Sequence, residues 1–253
     1  MESAIKILAI VQARMSSKRL PGKVLYPLAG RPVIEHIVNR LRKSIYIDKI
    51  VIATSNDNSD NQIEDWCNIN CVEIYRGSLD DVLDRFYQAA NQYKARNVLR
   101  ITADCPVIDF KIIDEVIENY FASDFDYYGL QGEFPDGLDC TIISYNSLKT
   151  AWENAKLPSE REHVGPYIEK NYNIFKLGGF QKFKGLGHLR WTLDEKRDYD
   201  FLQNIFNELY SNGNDFLHDE ILELLIRKPF LLNINSDITR NEGYLNSLQN
   251  DNN

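Results

Sequence analysis

The sequence predicts an α/β protein built on a mostly parallel sheet flanked by helices, with a small mixed strand-and-helix insertion. Two observations carry that expectation. Short runs rich in β-branched residues alternate with stretches of helical spacing, and the runs are nearly continuous in apolar residues. Continuous apolar character is what a strand covered on both faces requires. Ile5 to Val11 opens the fold as such a strand. After a polar loop, Gln12 to Lys23, the residues Val33, Ile34, Ile37, Val38 and Leu41 repeat at helical spacing, with Pro32 in a first-turn position. Ile50 to Ala53 is the next strand, and a Ser/Asn/Asp cluster at 55–61 leads into a short helix through Trp66. Strand Val72 to Tyr75 with helix Leu79 to Tyr93 repeats the pattern, as does strand Val98 to Thr102 with the helix marked by Ile112, Ile113, Val116, Ile117 and Tyr120. The regularity breaks after Phe121. Strands are expected at Asp126 to Gly132, Leu138 to Ser144 and His188 to Leu193, and helices at Tyr145 to Lys156, Ser159 to Asn171, Glu195 to Tyr210 and His218 to Arg227.

With 253 residues, 43% hydrophobic and 26% charged, the chain matches an ordinary soluble globular protein. Collagen-like, wholly disordered and disulfide-scaffold classes are excluded. A single domain over 1–232 is expected, with the insertion at about 122–187. Residues 233–253, rich in Asn, Ser and Asp, read as a polar tail that frays or contacts a partner. Cys67 and Cys71 form a C-x3-C pair with no second pair and no nearby His, so the four cysteines read as reduced thiols rather than zinc ligands. Lys6 interrupts the only apolar run near the N-terminus, and no stretch approaches the roughly 20 apolar residues of a spanning helix. A cytoplasmic protein with no membrane contact is therefore expected.

The net charge of -8 is unevenly spread. Residues 1–43 hold nine Lys or Arg against two Glu, a local +7, which leaves -15 on the remainder. An acidic chain is a poor general nucleic-acid binder, because duplex affinity comes mostly from neutralised phosphates. A concentrated basic start suits one small polyanion instead. Ligands of open α/β sheets bind beyond the carboxyl ends of the strands, and the loop after the first strand carries Arg14, Lys18, Arg19 and Lys23 among small and hydroxyl residues. It lacks both the G-x-x-x-x-G-K-[ST] and the G-x-G-x-x-G patterns, so neither a P-loop nor a dinucleotide site is expected. Four cations in ten positions supply the charge-assisted bonds that a triphosphate needs.

The run Gln12 to Lys23 resembles the signature loop of the cytidylyltransferases that activate sugar acids, CMP-KDO synthetase and CMP-acylneuraminate synthetase, and above all the SpsF family, named for spore coat polysaccharide biosynthesis. Further segments match that family in order: Arg76-Gly77-Ser78 with Asp80 to Arg85; Arg100 to Pro106; Gly137-Leu138-Asp139; Glu160 to Val164 with Pro166-Tyr167; and Trp191 to Asp194. The resemblance spans about residues 5–210. It implies a Rossmann-like nucleotidyltransferase (GT-A-like) fold and transfer of a nucleoside monophosphate, with cytidine as the base, from an NTP to a sugar or sugar acid. Pyrophosphate is released, and the product serves surface glycan synthesis. By position, the main chain of Ala13 and the side chains of Arg14, Ser17, Arg19, Lys23 and Arg76 are implied to hold the nucleotide. Asp104 and Asp194 match the carboxylates that hold magnesium, with Arg14 and Lys23 beside them in the catalytic set. Ser16 departs from the Gly or Ala of many relatives, and Lys18 from a residue that is often Thr or Ser.

A physical argument stands beside the analogy. Asp104 and Asp194 each follow an expected strand, so both can reach one sheet edge, and magnesium takes one or two hard carboxylates plus phosphate oxygens and water. The plainer alternative makes Asp104 a turn residue and Asp194 a helix cap. Asp139, Arg161 and His163 are candidates for the acceptor pocket. Against that stand a plain turn at Gly137 to Asp139 and a capping box of Ser159 with Glu162. Asp80 to Arg85 reads as a helix start, its acids near the positive end of the dipole. Two other functions compete: a nucleotide-sugar glycosyltransferase, which would use a D-x-D motif such as Asp124-Phe125-Asp126 or Asp198-Tyr199-Asp200, and a catalytically silent nucleotide-binding subunit. The resemblance also implies a homodimer, with the aromatic stretch 121–134 as a candidate contact.

Overall fold

The computed structural model describes residues 5–211 and 215–251. In chain order the elements are β1 (Ile5–Gln12), β2 (Pro27–Leu28), β3 (Arg31–Pro32), α1 (Val33–Leu41), β4 (Lys49–Ser55), α2 (Asn61–Ile69), β5 (Glu73–Gly77), α3 (Val82–Gln92), β6 (Ala95–Thr102) and α4 (Phe110–Ala122). The second half carries β7 (Tyr127–Leu130), β8 (Thr141–Ser144), α5 (Tyr145–Asn154), α6 (Pro158–His163), α7 (Pro166–Lys170), β9 (Leu177–Phe180), α8 (Lys196–Leu209), α9 (His218–Arg227) and α10 (Glu242–Asn250). Seven strands form one sheet in the order β5-β4-β1-β6-β8-β7-β9. The first four are mutually parallel, β8 runs antiparallel to both β6 and β7, and β9 returns parallel to β7.

The unbroken apolar run of β1 is explained by its central place. Ile7, Ala9 and Val11 belong to the core packed by α1, α4 and α8, whereas Leu8 and Ile10 belong to the core packed by α3 and α5. Each fully buried Val, Leu or Ile side chain among them contributes about 1.5–3 kcal/mol. Because β4, β1 and β6 are parallel, their carboxyl ends lie along one edge. Ala13 N donates to Ala53 O (3.1 Å) and Ala103 N to Gln12 O (3.0 Å), extending the pairing one residue past the strands and bringing the loops after β1 and β6 together.

Three expectations meet a different outcome. The helix expected over Ser159 to Asn171 is split into α6 and α7. Pro166 cannot continue a helix hydrogen-bond ladder, and Gly165 N donates to His163 O (2.8 Å) around Val164 at φ 69°, a tight γ-turn. The strand expected at His188 to Leu193 is reduced to a single parallel bridge, Asp136 with Arg190. Its amides serve two different loops: Trp191 N donates to Asp136 O (2.6 Å) and Leu193 N to Asp104 O (2.8 Å). Gly137 (φ 110°) permits that approach, since a Cβ there would stand 2.7 Å from the Trp191 carbonyl carbon. Finally, the segment expected as a polar tail, 233–253, begins at the end of a 3-10 helix, Pro229–Ile234, and contains α10, which packs on α6. In the aromatic stretch 121–134, Tyr128, Leu130 and Phe134 are core residues, while Phe121 is exposed. Among the described residues no helix is long and apolar enough to cross a membrane.

Candidate active site

A cleft of about 450 Å³ opens at the carboxyl edge of the parallel strands. Its floor is the loop after β1. Met15 O accepts from Ser17 N (3.0 Å) and Gly22 N (2.8 Å), closing the loop on itself. Ser17 Oγ accepts from Leu20 N (3.4 Å). Buried Asp60 clamps it from outside: one carboxylate oxygen accepts from Met15 N (2.7 Å), the other from the Thr54 hydroxyl (2.9 Å) and Ser55 N (3.0 Å). Gly22 takes the left-handed conformation (φ 75°), which turns the chain so that Lys23 points inward, only 8% exposed.

Lys23 Nζ donates to Asp104 Oδ2 (2.7 Å) and Asp194 Oδ1 (2.8 Å), so two carboxylates separated by ninety positions share one cation. Burial opposes a charged amine, but the two carboxylates outweigh it and hold Lys23 above its usual range. Burial likewise opposes ionisation of Asp104, and Lys23 overcomes it, bringing that carboxyl down to about 2. The second Asp194 oxygen accepts from Arg190 Nη2 and forms an ion pair with Arg19 Nη2, both at 3.0 Å. Arg190 is fixed in turn by a bidentate pair with buried Asp198 (2.9 Å each) and by Asp136 (2.9 Å). Asp198 also accepts from the amides of Asp194 (2.9 Å) and of Glu195 (3.0 Å), the N-cap of α8, and so completes a capping box. The 190–198 segment is therefore a rigid mount for Asp194.

Of the remaining residues singled out in the sequence, Ala13, Arg14, Ser17, Arg19 and His163 line the same cleft. His163 Nε2 is buried without a hydrogen-bond partner, and its pKa lies below the usual value because of burial, with the Arg100 and Arg14 charges adding to the effect. Arg76, Asp139 and Arg161 do not line it. Arg76 is engaged by Glu64 (2.5 Å), Asn61 (2.8 Å) and two backbone carbonyls. Arg161 pairs with Asp81 and donates to Trp152 O (2.8 Å). Asp139 accepts from Gly137 N (2.9 Å) and pairs with Arg240 (3.5 Å). Neither D-x-D sequence lines the cleft: Asp124 pairs with Lys176 on the surface, and Asp198 is locked on Arg190.

Several contributors were not singled out from sequence. Asp60 holds the loop, Arg85 lines the cleft from α3, and α10 brings Glu242, Gly243 and Ser247 to its rim. Glu242 pairs with Arg19 at 2.6 Å. Asp251, just beyond α10, accepts from Ser159 N (2.9 Å) and Ser159 Oγ (2.5 Å), fastening α10 to α6.

A sequence profile described as Cytidylyltransferase matches residues 8–226. The chain belongs to the cytidylyltransferase family. It is 32% identical over 231 residues to the spore coat polysaccharide biosynthesis protein SpsF of Bacillus subtilis, covering 88% of this chain and 95% of that protein. It is 29% identical over 113 residues to the 3-deoxy-manno-octulosonate cytidylyltransferase of Geobacter sulfurreducens, 45% of this chain and 44% of that one. A solved cytidylyltransferase from Leptospira borgpetersenii superposes with a TM-score of 0.85 at 29% identity, covering 93% of this chain and 99% of the other. This cytidylyltransferase thus has the α/β nucleotidyltransferase fold and is an enzyme of the nucleotidyltransferase class. The matched stretch includes Lys23, Asp104 and Asp194.

Proposed function

We propose that this cytidylyltransferase acts in the cytoplasm, transferring CMP from CTP to a sugar or sugar acid of the nonulosonic type and releasing pyrophosphate, in the synthesis of a surface polysaccharide. The observation that carries the reading is the convergence of Lys23, Asp104 and Asp194 at the edge of a loop lined with Arg14 and Arg19. Likeness to SpsF and to a sugar-acid cytidylyltransferase supports the acceptor class.

The chemistry is in-line attack of a sugar hydroxyl oxygen on the α-phosphorus of CTP. A P–O bond forms there as the bond to pyrophosphate breaks, and the hydroxyl proton is lost to water. Arg14, Arg19 and Lys23 supply charge-assisted hydrogen bonds to phosphate oxygens, which hold the chain of phosphates and offset the charge that develops on the leaving group. The main chain of Ala13, pinned to Ala53 O, presents a fixed edge to the nucleotide.

Two carboxylate oxygens within hydrogen-bond reach of one ammonium already form a two-point site for a hard cation, so Asp104 and Asp194 fit a divalent ion. When bound, Mg2+ supplies charge neutralisation at the leaving pyrophosphate and a lowered pKa for the sugar hydroxyl. Arg190 keeps Asp194 aimed at the cleft, and Lys23 is the group that can pass from carboxylate to phosphate.

The test is a melting-temperature panel of CTP, UTP, GTP and ATP with and without Mg2+, followed by pyrophosphate release with 3-deoxy-manno-octulosonate and N-acetylneuraminate. A rise with CTP and Mg2+ alone is expected, because a ligand specific for the folded state raises its stability. A response only to a nucleotide-diphosphate sugar would select the glycosyltransferase, and silence from every nucleotide the non-catalytic subunit. Asp104→Asn should lower turnover by on the order of 10²–10³-fold, the several kcal/mol that a metal-held transition state loses. Unchanged turnover would remove Asp104 from the metal site.

A further inference from the structure

The cleft holds its cations in two electrostatic states. Lys23 and Arg19 are already neutralised, the first by Asp104 and Asp194, the second by Asp194, Glu195 and Glu242. Arg85 is different. It is 2% exposed and lines the cleft from the first turns of α3. Its Nη1 donates to the carbonyls of Ser78 (2.9 Å) and Leu79 (3.3 Å), while its Nε is buried with no partner. Among the described residues, no carboxylate lies within ion-pair distance of Arg85 or of Arg14.

Of the acids whose charge reaches Arg85, Asp60 and Asp81 are engaged elsewhere. Asp60 clamps the loop after β1, and Asp81 is taken by Arg161 and by the amide of Asp84. Asp84 accepts from Trp152 Nε1 (2.8 Å) and Gln88 (3.1 Å). Arg14 adds a like charge close enough to act together with burial in bringing Arg85 down to about 10. Room for the arginine stem is also provided: Gly77, at the end of β5, would clash with Arg85 Cγ at 2.8 Å if it carried a Cβ. A buried guanidinium with an unmade hydrogen bond and a cationic neighbour is costly unless an anion completes it.

Resting on the triphosphate reading above, we infer that Arg85 is a ligand-binding residue of this cleft, closing with Arg14 on a phosphate of the bound nucleotide. A guanidinium suits the task because its fixed fork can keep Nη1 on the backbone of the β5–α3 turn while its remaining donors face an oxyanion.

The experiment is calorimetric titration of the wild type, Arg85→Lys and Arg85→Gln with CTP, inorganic tripolyphosphate and cytidine, alongside the unliganded melting temperature of each. Both variants keep a donor for the Ser78 carbonyl, and Lys also keeps the charge, so one decides the matter if the other does not fold. We expect CTP and tripolyphosphate to bind at least roughly tenfold more weakly to the variants, with cytidine unchanged. A residue that only pins the 78–79 turn would lower the melting temperature and leave the triphosphate-to-cytidine ratio as it was. Unaltered CTP and tripolyphosphate affinity in a folded variant overturns the assignment. If the wild type binds tripolyphosphate but not CTP, and the variants lose it, Arg85 stands while the cytidine reading falls. If the wild type binds neither, both fall.

Discussion

Lys23 and Asp136 show how a few residues set opposite pH dependences in one network. The Asp104 carboxyl lies at about 2 in the folded protein because Lys23 outweighs burial, below an unfolded value of about 3.8. Its contribution to stability is fully present above that unfolded value and is lost as pH falls toward 2. Asp136 runs the other way: burial first, then the charge of Asp139, raises it to about 7 despite Arg240 and Arg190. Arg190 is shared among Asp136, Asp194 and Asp198, so Asp136 does not have that guanidinium to itself. A raised carboxyl favours the folded state at low pH, so stability attributable to Asp136 falls as pH rises from about 4 to about 7. Asp136→Asn should flatten the stability-against-pH curve across that window, measured by urea unfolding at pH 4.5, 6 and 7.5. A variant curve that falls as steeply as the wild type would show that Asp136 is ionised throughout. Asp104 and Asp194 were singled out in sequence because they match the family's pair of carboxylates, and Asp104 also follows the apolar run Val98–Ile101. Asp60 and Arg85 were not, because an acid that clamps a loop and a base that lacks a partner look like ordinary loop and helix residues until their neighbours are known.

At the level of elements, the alternation of β1 through α4 was readable because strands covered on both faces leave continuous apolar runs. The helix α10 was hidden for the converse reason. Ser247 is buried while Leu245 is half exposed, so the side facing the cleft is polar and the usual apolar stripe is missing. The γ-turn at Val164 was equally invisible, since a β-branched residue with positive φ is held there by its surroundings rather than favoured by its own chemistry. That α10 carries Glu242 onto Arg19 has a consequence for binding. The carboxylate competes with any phosphate for the same guanidinium, in a pair exposed enough to be screened by salt. Glu242→Gln should therefore tighten CTP binding by about twofold to fivefold at low salt, the worth of an exposed pair, with the gain shrinking at 500 mM salt. Isothermal titration at two salt concentrations reads both effects. Weaker binding in the variant would mean that Glu242 orients Arg19 for the nucleotide instead of competing with it.

Across the whole molecule, Arg14, Lys18, Arg19 and Lys23 from the basic first segment and carboxylates from the acidic remainder meet at one sheet edge. Parallel strand order explains why: the basic loop follows the central strand, and Asp104, Asp194, Glu195 and Glu242 arrive from remote segments to surround it. The cleft thus attracts a polyanion at contact range while the net charge of -8 repels it at long range. Salt separates the two effects. The Debye length is roughly 30 Å at 0.01 M and roughly 10 Å at 0.1 M, so the first increase removes repulsion from distant acids before it weakens the contacts. CTP affinity should change little between those concentrations and then fall between 0.1 M and 0.5 M, where contact-range attraction is screened as well. A titration series over that range, at constant free Mg2+, distinguishes this from a simple cationic site, whose affinity would drop steeply from the lowest salt onward. The steep result would mean that the distant acids lie outside the field felt by the nucleotide, leaving the cations around the cleft as the whole of its electrostatic reach.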